Sequence, residues 1–254
     1  MDITIAVIGL LVGFMVGLTG VGGAALLTPI LILIGIQPTT AVGTDLFYNS
    51  VTKLFGTAQH WRQRTVNWKL VGMLAAGSVP GAVISIALLK WFETFFARQE
   101  QLIQTALGIM LIVVAASILV RQFWLTGTVK NKWQAKSLNE KRNLTIAIGF
   151  VLGFMVGLTS IGSGSLFALA LIYFFSLRAT EVVGTDIAHA FILVTVAGLM
   201  HAGIGNVDYA LALNLMLGSV PGVLTGSILS VKIPSRSLRT VMGALILISG
   251  IKLI

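Results

Sequence analysis

The amino-acid sequence predicts an all-α polytopic membrane protein made of two inverted repeats, each a glycine-interrupted helical hairpin followed by three transmembrane helices. Three observations carry this. Composition is the first: the chain is 56% hydrophobic and 10% charged, with a mean hydropathy of +0.98, whereas a soluble domain is about 25% charged. Apolar runs at 102–120 and 238–254 approach the ~20 residues that a membrane-spanning helix needs. The second is an internal repeat, which governs every later assignment. Gly13-Phe14-Met15-Val16-Gly17-Leu18-Thr19 returns letter for letter as Gly153 to Thr159. Val42-Gly43-Thr44-Asp45 returns as Val183 to Asp186, and Gly77-Ser78-Val79-Pro80-Gly81 as Gly218 to Gly222. The offset is 140 residues for the first block and 141 for the others. The third is where the basic residues fall.

Taken in order, the first repeat occupies 1–123, a basic linker 124–142, and the second repeat 143–254. The regions 3–36 and 143–177 are each about 34 residues, far too long for one upright helix at ~1.5 Å per residue. Each is broken by glycine, at Gly20-Val21-Gly22-Gly23 and at Gly162-Ser163-Gly164. The pattern predicts helical hairpins, 3–19 with 24–36 and 143–159 with 164–177. Single spans follow near 39–60, 67–89 and 101–123, then near 182–203, 208–231 and 236–254. Trp61, Trp68, Trp91 and Trp124 fall near span ends, where interface anchors belong. Pro80 and Pro221, each after Gly-Ser-Val, mark close-packing or hinge elements.

Basic loops prefer the cytoplasmic side. If each hairpin returns the chain to its starting side, loops 60–69, 121–142, 178–181 and 232–239 hold thirteen Lys and Arg, against three on the other face. If each long region crosses once instead, the best split is ten to six. The first arrangement puts the linker inside and both termini outside, and an odd number of crossings per half inverts the repeats. The charge of +9 is thereby accounted for by loops, not by a nucleic-acid surface. The chain has no cysteine, so disulfides, thiolate metal sites and cysteine catalysis are excluded. Asp2 and the lack of a basic leader argue against a cleaved signal peptide.

Inverted repeats with broken segments at matching positions are characteristic of secondary transporters, whose substrate site lies near the midplane. Helices starting near Ala24 and Ser165 would aim N-terminal N–H groups and positive dipole ends inward, which favours an anion.

The blocks Gly17-Leu18-Thr19-Gly20-Val21-Gly22-Gly23, Gly43-Thr44-Asp45-Leu46, His60 with Val66-Asn67-Trp68, and Gly77-Ser78-Val79-Pro80-Gly81, with their second-half copies, resemble the TauE/SafE family, the sulfite exporter or 4-toluenesulfonate uptake permease type. The resemblance runs over essentially the whole chain. It implies an inner-membrane carrier of sulfur-containing anions: sulfite, sulfonates, sulfoacetate or thiosulfate. The second hairpin departs from the first, with Ser160 and Ser163 where the first has Gly20 and Gly23.

Lys53 is the sharpest chemical clue. It lies inside a span, where a central lysine costs about 2.5 kcal/mol or more. Asp45, Asn49 and Lys53 are spaced i, i+4, i+8 and share a helix face. Lys53 would bind substrate oxygens; the structural alternatives are pairing with Asp45 or snorkelling to the interface. Its counterpart is Val194, so one half alone supplies this charge. Thr19, Gly20, Gly22, Gly23, Thr159, Ser160, Gly162, Ser163, Gly164 and Ser165 are the candidate tip donors, hydroxyl or backbone; small residues also serve helix packing. Asp45 and Asp186 begin spans and are expected chiefly as helix caps, with Thr44 and Thr185 helping. The other reading is proton or cation coupling, for which Asp186 and His189, three apart, could pair. His60 and His201 are symmetric and expected mainly as interfacial hydrogen-bonders, with proton relay as the other reading.

The reading is a secondary transporter of a small sulfur-containing anion, in which the two halves rock about a midplane site. It is not an enzyme, with no cofactor, metal or nucleic-acid partner expected. The alternatives are an anion channel and an intramembrane hydrolase using Ser163 with His201 as its base.

Overall fold

The computed structural model describes residues 3–19, 23–95, 99–123, 132–230 and 235–254. Among these residues all regular structure is helical. In chain order the helices are α1 (Ile3–Thr19), α2 (Ala24–Leu33), α3 (Pro38–Arg62), α4 (Trp68–Phe95) and α5 (Gln99–Phe123), then α6 (Arg142–Thr159), α7 (Leu166–Phe174), α8 (Ala179–Gly203), α9 (Tyr209–Ser230) and α10 (Ser235–Leu253). The protein is thus an all-α polytopic membrane protein, and the helix boundaries fall within about three residues of those the glycine breaks and apolar runs imply, except that α4 continues to Phe95, past the expected end at 89. Among the described residues, five helices, α4, α5, α6, α8 and α9, are long and apolar enough to cross a membrane. Helix α3 has 25 residues, about 37 Å, so its length suffices too. Its polar face, with Asp45, Asn49 and Lys53, is what lowers its apolarity.

Helices α2 and α7 are only 10 and 9 residues long. At ~1.5 Å per residue each reaches about half of a 30 Å hydrocarbon layer. Each is the short arm of a hairpin whose long arm is α1 or α6.

Local chemistry sets the joints. Pro38 opens α3 at a position where its missing N–H costs nothing. The α3–α4 and α8–α9 turns close alike: Thr65 N–H donates to the His60 carbonyl at 3.1 Å, and Asn206 N–H to the His201 carbonyl at 2.9 Å. Both use a left-handed residue, Gly205 (φ 83°) in one and Arg64 (φ 54°) in the other. Asn67 Oδ1 accepts from Leu70 N–H and Asp208 Oδ1 from Leu211 N–H, so these two residues cap α4 and α9.

The main pairings all join one half to the other: α1 with α9, α4 with α6, α3 with α8 and α5 with α10. Glycine permits the first two. Gly13 faces Ser219, where a Cβ would stand 2.5 Å from the carbonyl oxygen, and Gly149 faces Leu74 in the same way. The repeated Gly-Phe-Met-Val-Gly-Leu-Thr therefore packs against the Gly-Ser-Val-Pro-Gly of the opposite half. The packing reading of both blocks agrees with this, since close backbone approach is what small residues permit.

The same contacts fix direction. Along α1, residues 6, 10, 14 and 18 meet successive positions 218, 222 and 226 of α9, so these two helices run parallel. In α3 and α8, Gly43 meets His201 and Asn206, Gly198 meets Phe47, and Gly56 meets Ile187, which is an antiparallel course. In α5 and α10, Gly108 meets Ile254 and Gly243 meets Leu119, antiparallel again. Helices α3 and α8 hold equivalent places in the two halves, as do α5 and α10, and each pair runs in opposite directions.

Among the described residues, the start of α4, the end of the linker and the C-terminal end of α7 meet at one place. Lys69 Nζ donates to Asn139 Oδ1 at 2.9 Å, Gln134 Nε2 to the Ile172 carbonyl at 3.1 Å, and Lys141 Nζ to the Phe174 carbonyl at 3.1 Å. Burial there holds the Lys141 ammonium below its usual pKa. The Ser137 N–H and hydroxyl hold the Glu140 carboxyl below its own. Trp61, Trp68 and Trp91 are exposed near helix ends. Trp124 lies outside the described residues.

Candidate functional site

Helix α3 carries the polar face through the middle of the protein. Asp45 and Asn49 are one turn apart and bonded: Asn49 Nδ2 donates to the Asp45 carbonyl and to Asp45 Oδ1, both at 2.9 Å. Both residues are buried, Asp45 completely. Asp45 Oδ2 makes no hydrogen bond. Lys53 lies three residues past the centre of α3, only ~4.5 Å along the axis.

Lys53 does not snorkel away. Half-buried, its Nζ donates to the Ser163 carbonyl at 3.4 Å, at the tip of the second hairpin. Its charge also attracts Asp45 and Asp186. The first hairpin comes to the same helix, for a Cβ on Gly23 would stand 4.0 Å from Asn49 Oδ1. Both tips thus adjoin the central turns of α3, at Asn49 and at Lys53.

The second tip is a tight turn. Ser160 ends α6 in a left-handed conformation (φ 59°), its N–H bonded to the Val156 carbonyl at 2.7 Å, and Gly162 follows at φ 105°. The Ser160 hydroxyl meets Thr28 Oγ1 at 2.8 Å, joining the two hairpins, and both hydroxyls stand beside the Asp45 carboxyl. The Thr159 hydroxyl donates to the Met155 carbonyl at 2.7 Å and accepts from Ile161 N–H at 3.3 Å. Ser163 is buried, and Gly164 and Ser165 are partly so. Gly20 and Gly22 lie outside the described residues, as does the side chain of Thr19.

Three expectations need correction. Asp45 and Asp186 are not caps. Helices α3 and α8 begin at Pro38 and Ala179, so each Asp sits two turns inside its helix, past the reach of an N-terminal N–H. The capping carboxylate is Asp208, with Asn67 in the other half. Thr44 and Thr185 serve a different joint: Thr44 Oγ1 accepts from Asp208 N–H and Thr185 Oγ1 from Asn67 N–H, each at 3.0 Å. Each repeat holds the start of the other's fourth helix.

Asp186 and His189 do not bond to each other either. The His189 ring turns to α4, where Nε2 meets Ser78 Oγ at 2.8 Å, and it lies tilted against the Phe167 ring at 4.3 Å between centroids. Its Nδ1 has no hydrogen-bond partner. The equivalent of His189 is Tyr48, whose hydroxyl engages Ser219, the equivalent of Ser78. One scaffold contact is therefore written with two different side chains.

The histidines at 60 and 201 are unlike. His60 Nδ1 meets Thr65 Oγ1 at 2.8 Å in a partly exposed turn. His201 is fully buried, with Nε2 on the Gly157 carbonyl at 3.1 Å and no partner at Nδ1. No Ser163–His201 pair forms, so the geometry of the hydrolase alternative is not assembled.

Thr28 and Ser78 escaped the sequence reading. Both had a signal: Thr28 is the one polar side chain in Ala24–Leu33, and Ser78 sits in a repeated block.

Comparison with known proteins agrees with this architecture. The chain matches the family described as "Sulfite exporter TauE/SafE" over residues 5–253. It is 59% identical over 254 residues, all of both chains, to "Probable membrane transporter protein YjnA" of Bacillus subtilis (strain 168). Two further proteins of that organism with the same description, YunE and YdhB, are 24% and 28% identical, over 99% and 96% of this chain and 97% and 96% of theirs. No solved structure matches the chain. A match over almost the whole length, with a relative 59% identical from end to end, shows that the chain belongs to the sulfite exporter TauE/SafE family of membrane transporters.

Proposed function

We propose that the protein is a secondary transporter that moves a small sulfur-containing anion, of the sulfite, sulfonate, sulfoacetate or thiosulfate class, across the cytoplasmic membrane by alternating access. The observation that carries this is Lys53: a cation in the middle of a membrane helix whose Nζ meets the tip of a hairpin of the opposite half. An intramembrane cation at a broken element marks an anion path. The family description favours a sulfite-type substrate.

Lys53 supplies charge. Backbone amides and hydroxyls of the tips, from Gly23 and from Gly162, Ser163, Gly164 and Ser165, take over the anion's hydration. Asn49 orders the Asp45 carboxyl beside them. Asp45, Asp186 and His189 are the groups available to couple a proton or another cation. The antiparallel course of equivalent helices supports inverted repeats in the bilayer. The contact of Lys69 with the linker, and of the linker with the end of α7 next to Arg178, supports a shared cytoplasmic side for these basic segments, with the termini periplasmic.

The moving bodies differ from the two sequence halves. With α1 seated on α9 and α4 on α6, each arm contains helices of both repeats, and rocking runs between these mixed pairs.

Sulfite uptake into proteoliposomes tests the reading. Lys53→Gln removes the charge, and a hydrogen bond to a charged group is worth about 1.5–3 kcal/mol, so affinity falls about tenfold or more. Lys53→Arg keeps the charge and recovers part of it. Unchanged uptake by Lys53→Gln would overturn the assignment, and uptake that never saturates would favour a channel.

A further inference from the structure

We propose that Asp45 Oδ2, Thr28 Oγ1 and Ser160 Oγ form a binding site for sodium, a small hard monovalent cation. The site lies beside the anion position, and it deepens the transport reading by naming the coupling ion.

The starting point is an unmatched oxygen. Asp45 is completely buried, and its two carboxyl oxygens are treated differently. Oδ1 receives the Asn49 amide at 2.9 Å; Oδ2 has no hydrogen bond. A buried polar atom left without a partner costs stability, so an unpaired carboxylate oxygen is a place for a positive ligand. Two hydroxyl oxygens stand beside the carboxyl, close enough to bond to it. Thr28 and Ser160 are buried, their hydroxyls 2.8 Å apart and both adjoining the carboxyl. A proton needs one oxygen. Three oxygens from three chain segments suit an ion that must be surrounded, and an all-oxygen set selects hard cations.

Helix α6 ends at this point. Its C-terminal residue is Thr159, and left-handed Ser160 follows. The C-terminal end of a helix carries negative dipole charge and favours a cation. The nearby Gly157 carbonyl is already held by His201, which leaves the end of α6 ordered without a ligand. Half-helix C-termini are where transporters of broken-helix design hold their coupling cations.

The charges around the site make anion and cation interdependent. Lys53 faces Asp45 from the same helix and opposes a cation there; Asp186 on α8 counters Lys53. His189 is engaged with Ser78 and Tyr48 with Ser219, so neither faces Asp45 as a bonded partner. An anion on Lys53 withdraws the opposition, and sodium at Asp45 offsets the added negative charge. Thr28 belongs to the first hairpin and Ser160 to the second. Occupancy therefore ties the two tips together.

The test is thermal unfolding of the purified protein in detergent, without any substrate anion, in sodium against choline at constant ionic strength and pH. Sodium is expected to raise the melting temperature saturably, as any ligand of the folded state does, while choline leaves it unchanged. Thr28→Val keeps the side-chain shape and shifts the half-maximal sodium concentration up about tenfold; Ser160→Ala acts alike, and Asp45→Asn abolishes the response. Equal melting in sodium and choline overturns the site, as does an undiminished sodium response in Asp45→Asn and Thr28→Val. A response to pH with none to sodium assigns Asp45 to a proton and overturns it too. The measurement needs no transport. A sodium response in a protein that moves no sulfur anion leaves the site and defeats the transport reading, and full transport without sodium does the reverse.

Discussion

Thr44 and Thr185 show most directly how single residues bind the repeats together. Each hydroxyl accepts the N–H of the residue that caps the fourth helix of the opposite half. Thr→Val at either position removes one buried acceptor and costs about 1 kcal/mol. The double variant is expected to cost the sum, because the two sites lie at opposite ends of the antiparallel α3–α8 pair. Denaturant or thermal titration of the three variants checks this. A strongly non-additive double variant would show that the ends communicate. Lys53 and Asp45 belong to this scale too, yet they were only half legible. The i, i+4, i+8 spacing of Asp45, Asn49 and Lys53 put them on one face, and the Asn49–Asp45 bond agrees with it. The spacing could not say that Lys53 reaches Ser163, a residue 110 positions away.

At the scale of elements, glycine is the decisive residue type. Helices α1 and α9 approach so closely that Gly9, Gly13, Gly218, Gly222 and Gly226 all face the partner's backbone. In a membrane the helices gain little from burying apolar surface against each other, so close van der Waals contact carries association. Gly13→Val and Gly153→Val, equivalent positions on α1 and α6, should each destabilise by about 1–3 kcal/mol or more through overpacking. Loss of monodisperse protein on size-exclusion chromatography, or a lowered melting temperature, reads this out. Gly72→Ala, with open space around it, should be neutral by the same measure. Wild-type behaviour of Gly13→Val would show that the two helices can part. The glycine breaks at 20–23 and 162–164 were legible because no helix of about 34 residues fits upright. Which side chains crowd the tips was not, because Thr28 and Ser160 meet only when both hairpins are in place.

At the scale of the whole molecule, the halves are interlocked, not merely adjacent. The largest contacts run between repeats, so neither half has a complete set of packing partners alone. Expressed separately, 1–123 and 143–254 are expected to accumulate poorly, and their co-expression to restore folded protein. Good expression of either half by itself would contradict the interlocking. Orientation can be tested because the chain has no cysteine. A single Ser137→Cys in the linker should react with an impermeant thiol reagent only from the cytoplasmic side, and Ile254→Cys only from outside. The reverse labelling would invert the topology.

By itself the sequence determined the number and order of helices, the two broken hairpins, the duplication and the membrane setting. These follow from local rules: apolar length, glycine breaks and the placement of charge along the chain. Tertiary structure decided which repeated block meets which, that Asp45 and Asp186 lie inside helices and not at their caps, and that His189 turns to Ser78 and not to Asp186. It also brought Thr28, Ser160 and Asp45 to one point. Each of these depends on pairing between helices far apart in the chain. A spacing along one helix fixes which face a residue occupies, but the neighbour across that face is set only by packing.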